Sequence, residues 1–278
     1  MQIGLLTTPF GREEFGTVLD FAAKAGFDAL EVAAGPGSKH IDPAKLSEDK
    51  ARAILDQVNA KGLTISSLAY YANVVDPDAG NRTAVLNHLR ACVDAAKWLG
   101  VGIVCTMAGM PVPGKDKMKT IEEDVPGALG PVIEYAAEKG IQIALENWYA
   151  TNIQNLEHWE RIFEVLPAKN FGLNFDPSHL AWQGIDWLEA VDRFADRIFH
   201  THAKDCEIRA HRLREVGVHG SGWWRYVIPG YGKIHWGEYI AALKRNGYDG
   251  VLSIEHEDSA LGREEGFIRG LAHLKQFA

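Results

Sequence analysis

Each of four strand-like segments in the second half of the chain carries an ionisable residue at, or one position before, its carboxyl-terminal end. They are Ile143-Ala144-Leu145-Glu146-Asn147, Leu173-Asn174-Phe175-Asp176-Pro177, Ile198-Phe199-His200-Thr201-His202 and Val251-Leu252-Ser253-Ile254-Glu255. Each is an apolar run that closes on a carboxylate or an imidazole. If the four strands are parallel neighbours, their carboxyl ends meet at one edge of the sheet. Three carboxylates and one imidazole, from Glu146, Asp176, Glu255 and His202, then form a set of metal ligands.

The composition of this set predicts the class of metal ion. Carboxylate oxygens and an imidazole nitrogen suit a hard or borderline divalent cation that keeps open positions for substrate oxygens. We expect one ion per chain, with Mn²⁺ favoured and Mg²⁺ or Co²⁺ as alternatives. Zn²⁺ is a further alternative, although three oxygen ligands make it less natural.

Two of the four residues can also move protons. Glu146 and Glu255 are expected to face each other across a substrate held at the metal. One glutamate would take a proton from the carbon beside a carbonyl, and the other would return it, while the metal stabilises the enediolate oxygen. The sequence therefore predicts Glu146 and Glu255 as the catalytic pair.

Other polar and aromatic side chains near the same strand ends are candidates for substrate binding. His179 follows Asp176 by three residues, a helical step that puts both on one face. His200 shares a face with His202 and Lys204, but it lies deeper and is expected in the core. Indole rings pack on sugar faces, and arginines hold hydroxyl, carboxylate or phosphate groups. The candidate substrate-binding residues are His179, Lys204, Arg209, Trp148, Trp223, Arg225 and Glu31.

Strand-like and helix-like stretches alternate along the whole chain. The predicted strands are 3–7, 29–33, 63–69, 102–107, 141–146, 172–176, 198–204 and 250–255. Five helix-to-strand junctions carry a glycine that can take the left-handed conformation, usually after a basic residue. They are Gly26, Gly62, Gly100, Gly140 and Gly247. This pattern predicts a (β/α)8 TIM barrel, one domain over residues 1–278. The alternative, an open doubly wound sheet, would need a glycine-rich phosphate turn after the first strand, and residues 6–11 lack one.

The loops after the strands build the active site in such barrels, and here they are the long ones. The longest runs from Asp205 to Trp236 and contains two glycine-punctuated aromatic stretches. It is too long for a plain connection, so we expect a lid or a substrate wall.

The charge and composition of the chain limit the kinds of partner that it is expected to bind. The formal net charge of −8 disfavours nucleic acid, and no apolar stretch is long enough for a membrane span. The three cysteines are far apart and form no CxxC pair, and the N-terminus shows no secretory signal. We expect a cytoplasmic protein that binds a small sugar or sugar-derived molecule. A homo-oligomer, dimer or tetramer, is expected, with a hetero-oligomer as the alternative.

The motifs together resemble the sugar isomerase/epimerase superfamily of xylose isomerase-like barrels. That superfamily includes ketose 3-epimerases, hydroxypyruvate isomerase, inosose dehydratase and endonuclease IV. The resemblance covers essentially the whole chain and rests on the following motifs, which occur in the family's order: Leu145-Glu146-Asn147, Asn174-Phe175-Asp176-Pro177-Ser178-His179, His200-Thr201-His202-Ala203-Lys204-Asp205 and Ser253-Ile254-Glu255-His256-Glu257. A later Pro229-Gly230-Tyr231-Gly232 run is also family-like, with His235 where relatives usually have aspartate.

The resemblance implies a role for several residues. Glu146, Asp176, His202 and Glu255 would be the metal ligands, with Glu146 and Glu255 also the proton-transfer pair. His179 would contact substrate. Arg209 lies near, but not in register with, an arginine common in epimerases.

Four functions follow as hypotheses. The first is a metal-dependent isomerase or epimerase acting on a free or modified keto-sugar. The alternative is a metal-dependent lyase or dehydratase, which would follow the same proton abstraction with β-elimination from a keto-sugar, keto-glycoside or keto-inositol. A nuclease resembling endonuclease IV and a non-catalytic partner subunit are less favoured. The nuclease would need more histidine ligands than these strands offer, since His40, His88, His158 and His219 fall in predicted loops or helices.

Overall fold

A computed structural model of the protein describes residues 1–278 and contains a closed barrel of eight parallel strands. Ten strands occur in chain order: β1 Gln2–Leu6, β2 Ala29–Ala33, β3 Thr64–Ala69, β4 Ile103–Met107, β5 Gln142–Glu146, β6 Phe171–Phe175, β7 Ile198–Ala203, β8 Asp205–Ile208, β9 Trp224–Val227 and β10 Val251–Ile254. Around the barrel the order is β1-β10-β7-β6-β5-β4-β3-β2. The predicted (β/α)8 fold is confirmed, and each of the eight predicted strands is present with its ends shifted by at most one residue.

Eleven α-helices alternate with these strands. They are α1 Phe15–Ala25, α2 Glu48–Ala60, α3 Ala79–Trp98, α4 Lys117–Glu123, α5 Val125–Glu138, α6 Leu156–Val165, α7 Ser178–Ala181, α8 Trp187–Arg193, α9 Ala210–Val216, α10 Trp236–Arg245 and α11 Arg263–Leu274. No helix combines the length and the apolar composition that a bilayer crossing requires.

Local sequence explains where many helices begin and end. Side-chain oxygens accept hydrogen bonds from backbone N–H groups in the first turn of five helices. These capping residues are Ser47, Asp78, Asp116, Asn155 and Asp186. The five junction glycines that the sequence singles out all have φ between 63° and 87°. Because this conformation strains any residue with a Cβ atom, glycine there ends the helix and lets the next strand begin at once.

The apolar core fills the space between the barrel and its helices. Four residues of α1, Phe15, Val18, Leu19 and Ala22, are buried there, and so are Trp159, Ile162 and Phe163 of α6. Trp159 packs edge-on against Phe175 of β6. Packing of the helices on the outer side of the strands therefore buries the apolar surface that stabilises the fold.

The inside of the barrel is polar near its carboxyl-terminal end. Glu31, Asn174, His200 and His202 come from three different strands, are at most 1% exposed, and contact one another. Buried polar groups are stable only when they are hydrogen-bonded, so this part of the barrel is organised by a polar network.

The long segment after β7 is folded. β8 and β9 form an antiparallel hairpin, with α9 between them. Trp224 of β9 stacks on Trp182 with ring centroids 4.4 Å apart and an angle of 5° between the planes. The hairpin therefore forms a packed wall beside the barrel mouth.

Asp205 fastens the end of this segment to the barrel. Its buried carboxylate accepts hydrogen bonds from the backbone N–H groups of Cys206, Gly230 and Ile234 and from Nε1 of Trp236, at 2.8–3.1 Å. A Cβ atom on Gly232 would overlap with this carboxylate, which explains the glycine.

Replacing Asp205 with alanine should lower the free energy of unfolding by about 3 kcal/mol, because several donors lose a charged acceptor. Chemical denaturation measures this difference. The control is Asp196→Ala, whose carboxylate is 82% exposed and whose loss should change stability by less than about 0.5 kcal/mol. Equal stability of the two variants would contradict the role of Asp205.

Candidate metal centre

Four side chains converge at the carboxyl-terminal end of the barrel. Glu146 is the last residue of β5, Asp176 follows β6, His202 lies near the end of β7, and Glu255 follows β10. One ligand atom from each lies within 4.8 Å of the others. The strands β5, β6, β7 and β10 are consecutive neighbours in the barrel, so the fold brings together the four residues that the sequence grouped.

The donor set fits a divalent cation. His202 Nδ1 lies 3.1 Å from Glu255 Oε2, 3.6 Å from Glu146 Oε1 and 3.9 Å from Asp176 Oδ2. Both His202 Nδ1 and Asp176 Oδ2 are buried without a hydrogen bond. Two buried ligand atoms without a hydrogen bond, beside two further carboxylates, form a group that a bound divalent cation would stabilise. We conclude that these residues can hold a metal ion.

Asp176 is held by its neighbours in the orientation that points Oδ2 at this group. Asn147 accepts a hydrogen bond from the backbone N–H of Asp176 at 2.7 Å and donates to its carbonyl oxygen at 2.9 Å. Oδ1 of Asp176 accepts from the N–H of Ser178, at the start of α7. One carboxylate oxygen is therefore held by the backbone at the start of α7, and the other faces the converging ligand atoms, with Lys204 Nζ 3.2 Å away.

Lys204 places a buried ammonium group beside the carboxylates. Its Nζ lies 2.6 Å from Glu255 Oε2, 3.2 Å from Asp176 Oδ2 and 3.3 Å from Glu257 Oε2. Burial by itself would lower the pKa of Lys204, but Glu255 and Asp176 raise it well above its ordinary value. The side chain is therefore a fixed positive charge at the site.

His179 joins the hairpin to the same group. Its Nδ1 is 2.6 Å from the hydroxyl of Tyr226 in β9, and its Nε2 is 3.3 Å from Glu146 Oε1. Lys204 Nζ lies 3.4 Å from the same Nε2. Tyr226 thus fixes the ring so that Nε2 points toward the carboxylates.

Neighbouring basic groups lower the pKa of both glutamates. Burial would raise the pKa of Glu146, yet His179 and His202 bring it well below the ordinary value. Burial likewise opposes ionisation of Glu255, and the charges of Lys204 and His202 lower its pKa. Burial raises the pKa of Glu257, an effect that Lys204 only partly offsets.

A cavity of about 250 Å³ opens onto these groups. It is lined by Tyr71, Met107, Glu146, Trp148, His179, Lys204, Glu255 and Glu257. A larger cavity of about 380 Å³ lies on the outer layer between α3 and α5 and has none of the converging residues. The smaller cavity is therefore the candidate site, because it joins space for a ligand to perturbed ionisable groups.

The residues predicted to bind substrate lie partly at the cavity and partly outside it. Trp148, His179 and Lys204 line the cavity. Trp223 is buried beside Trp182, and Arg209 and Arg225 pair with Glu207 outside the lining residues. Glu31 lies beneath the site.

The remaining histidines stay outside the group of four. His88 and His158 belong to α3 and α6, and His40 contacts the Thr7 hydroxyl and the Phe10 carbonyl oxygen. His200 lies inside the barrel beside Glu31 and Cys105, a second group of metal-ligand types. Both of its ring nitrogens already have partners, Asn174 Oδ1 at 2.9 Å and Ser66 Oγ at 3.0 Å, so it has no free ligand atom.

Four residues of the site were not in the sequence prediction. Tyr71 follows β3 by two residues, Met107 is the last residue of β4, and Glu257 follows Glu255 by two. Strand-end position and the two-residue period were therefore available signals for these three. Tyr226 reaches the site only because the β8–β9 hairpin folds back, and no local sequence pattern predicts that position.

The sequence as a whole matches one protein family. Residues 19–277 match the family model for the xylose isomerase-like TIM barrel, so the chain belongs to this family. YfiH of Bacillus subtilis (strain 168), an uncharacterized protein, is 28% identical over 99% of both chains. Inosose dehydratase of Geobacillus thermodenitrificans (strain NG80-2) is 32% identical over 45% of this chain and 43% of its own.

Solved structures share the fold at low identity. The probable 3-DHS dehydratase AsbF of Bacillus anthracis aligns with a TM-score of 0.79 at 18% identity, covering 99% of each chain. The IOLI protein with a bound zinc atom aligns at 0.77 and 20%, covering 100% of this chain and 99% of that one. The 3-keto-D-glucoside 4-epimerase YcjR of E. coli aligns at 0.75 and 17%, covering 99% of each.

Replacing Lys204 with methionine should destabilise the metal-free protein by about 3 kcal/mol, because the buried carboxylates lose their ammonium partner. Added Mn²⁺ should recover much of this loss, since a cation bound by the same carboxylates replaces the missing charge. Thermal unfolding with and without Mn²⁺ measures both effects.

The matched control is Lys39→Met, whose ammonium is half exposed and pairs with Glu14. It should unfold like the wild type under both conditions. A Lys204→Met protein as stable as wild type without metal would contradict the charge balance described here.

Proposed function

We propose that this protein is a divalent-metal-dependent isomerase or epimerase of a free or modified keto-sugar. The observation that carries the proposal is the meeting of four ligand atoms within 4.8 Å, with Glu146 and Glu255 also lining the cavity. A metal-ligand group and two carboxylates at one cavity suit proton transfer next to a carbonyl.

Glu146, Asp176, His202 and Glu255 would hold the ion, with Mn²⁺ favoured. A bound divalent cation supplies positive charge to substrate oxygens as negative charge develops on them. The protein's own contribution is to fix the ligands, through the Asn147 bonds to Asp176 and the contacts behind His202.

The two glutamates, Glu146 and Glu255, carry out the proton transfers. One carboxylate takes the proton from the carbon beside the carbonyl, and the electron pair of the C–H bond becomes the double bond of an enediolate. The other glutamate, protonated beforehand by solvent from the open cavity, donates its proton to the opposite face of the same carbon or to the former carbonyl carbon. The first outcome is epimerisation and the second is isomerisation, in which a proton also passes between the two oxygens. The first glutamate then gives its proton to solvent, and solvent reprotonates the second. His179 Nε2 and the Lys204 ammonium lie within reach to donate hydrogen bonds to substrate hydroxyls.

The cavity lining suggests an uncharged substrate. Glu146, Glu255 and Glu257 line it, Lys204 is the one basic side chain with a fixed charge, and no arginine is present. The lining therefore offers no guanidinium group to bind a phosphate or carboxylate in two-pronged fashion. The indole of Trp148 offers an apolar face on which a sugar ring can pack. The size, about 250 Å³, suits a single ring or a short open-chain sugar.

The named relatives support both an epimerase and a dehydratase. The second candidate function is therefore dehydration of a keto-sugar or keto-inositol, and Glu257 is the observation that favours it. This carboxyl group has a raised pKa and sits 3.3 Å from Lys204 at the cavity. This third carboxyl group, beside the two assigned to proton transfer at carbon, is placed to protonate a β-hydroxyl as its C–O bond breaks, so that the enolate expels one water.

Glu255→Gln tests the proton-transfer role. The variant keeps an oxygen ligand but cannot accept the proton, so deuterium uptake from D₂O into substrate should fall by at least about 100-fold. Keto- and aldo-sugars are screened with Mn²⁺, and NMR measures the exchange. The control is Glu238→Gln, which alters an exposed carboxylate on α10 and should exchange at the wild-type rate.

Product mass decides between the two functions. An unchanged mass with deuterium at one carbon supports the isomerase or epimerase, whereas loss of one water supports the dehydratase. Wild-type exchange in a metal-loaded Glu255→Gln protein would contradict the assignment of Glu255 in either reaction.

A further inference from the structure

Glu31 lies beneath the cavity, out of contact with it. It is in the middle of β2, is fully buried, and is absent from the cavity lining. The β2–β3 pairing shifts register at this residue, since Leu30 pairs with Ile65 but Glu31 pairs with Ser67. Such irregularities re-aim side chains. Here the Glu31 carboxylate lies across the barrel from its own strand, against the ring of His202.

Glu31 contacts that ring at one of its nitrogens, Nε2. Both carboxylate oxygens approach His202 Nε2, at 3.1 and 3.2 Å. The hydroxyl of Tyr71 donates to Glu31 and lies 3.2 Å from the same nitrogen. Asn174 donates to the Tyr71 hydroxyl at 2.9 Å. A chain of donors therefore leads from Asn174 through Tyr71 to Glu31, and the carboxylate ends it as the acceptor.

This arrangement suits metal binding through one ring nitrogen, Nδ1. A nitrogen that binds a metal ion carries no proton, so the proton of the neutral ring must then lie on Nε2. There the two oxygens of Glu31 can accept it, because a carboxylate only accepts hydrogen bonds. Nδ1 faces Glu255 Oε2 at 3.1 Å, Glu146 Oε1 at 3.6 Å and Asp176 Oδ2 at 3.9 Å, the group in which a metal ion would lie.

We propose that Glu31, supported by Tyr71, is a positioning residue that holds His202 in the tautomer and orientation for binding the metal through Nδ1. The inference rests on the proposed metal site and replaces the substrate contact that the sequence suggested for Glu31. A buried carboxylate behind a ligating imidazole also increases the basicity of the ligand and so strengthens the metal bond.

The direct test compares metal affinity among three variants. Glu31→Gln keeps the shape but removes the charge, and should weaken Zn²⁺ and Mn²⁺ binding by about 10- to 100-fold in competition with a chelator. Tyr71→Phe removes one hydroxyl and should weaken binding by about fivefold. Ser66→Ala is the matched control, because its hydroxyl contacts His200 in the same barrel interior and should leave affinity unchanged.

A spectroscopic readout separates positioning from general destabilisation. In the zinc-loaded protein labelled with ¹⁵N-histidine, His202 should keep a slowly exchanging proton on Nε2. Glu31→Gln should speed the exchange of that proton, and Ser66→Ala should not. If Glu31→Gln fails to fold, the metal affinity and the exchange rate of the Nε2 proton are measured on Tyr71→Phe instead.

The outcomes distinguish this inference from the proposed function. Wild-type protein that binds metal, with Glu31→Gln equally tight, would overturn the positioning role and leave the metal site intact. Wild-type protein that binds no metal would overturn the proposed function, and the inference with it.

Discussion

The structure depends on keeping several carboxylates together where water screens them poorly. Glu31, Glu146, Asp176 and Glu255 all lie within or at the end of the barrel, and one oxygen from each of the last three lies within 4.8 Å of the others. Like charges at this distance repel strongly in a protein interior. Cationic groups must therefore accompany them. Lys204 and the histidines supply part of the positive charge, and Asp176 Oδ2 and His202 Nδ1, which have no hydrogen bond, indicate where a divalent ion would supply the rest.

The two sides of the barrel strands have different roles: the outer side packs on the helices and stabilises the fold, and the inner side carries the polar groups of the site. The apolar layer between strands and helices stabilises the fold, which leaves the interior free to be polar. Within it, each charged group is oriented by a partner: Asn147 for Asp176, Tyr226 for His179, and Glu31 with Tyr71 for His202. The hairpin wall is held in turn by Asp205 and by the stacked pair Trp182 and Trp224. A site built in this way needs little rearrangement before a substrate binds.

The sequence predicted what is local and missed what is brought together by folding. Strand ends are local, so the positions of Glu146, Asp176, His202 and Glu255 could be read from apolar runs, and the junction glycines marked the βα repeat. The roles of Arg225 and Trp223 could not be read, because Glu207 and Trp182 become their neighbours only when the hairpin folds back. Tyr226 was missed for the same reason. Glu31 was noticed as a strand-end acid, but its partner lies 171 residues away in the chain, on a strand that is not its neighbour in the barrel.

The most direct test is the metal content of the purified protein, measured by mass spectrometry for the wild type beside Asp176→Ala. Asp176 supplies one unpaired ligand atom and is not a member of the proton-transfer pair. We predict about one divalent ion per chain in the wild type, as four converging ligands imply, and loss of that ion in the variant. A wild type that stays metal-free after reconstitution, or a variant that keeps its full metal content, would contradict the account.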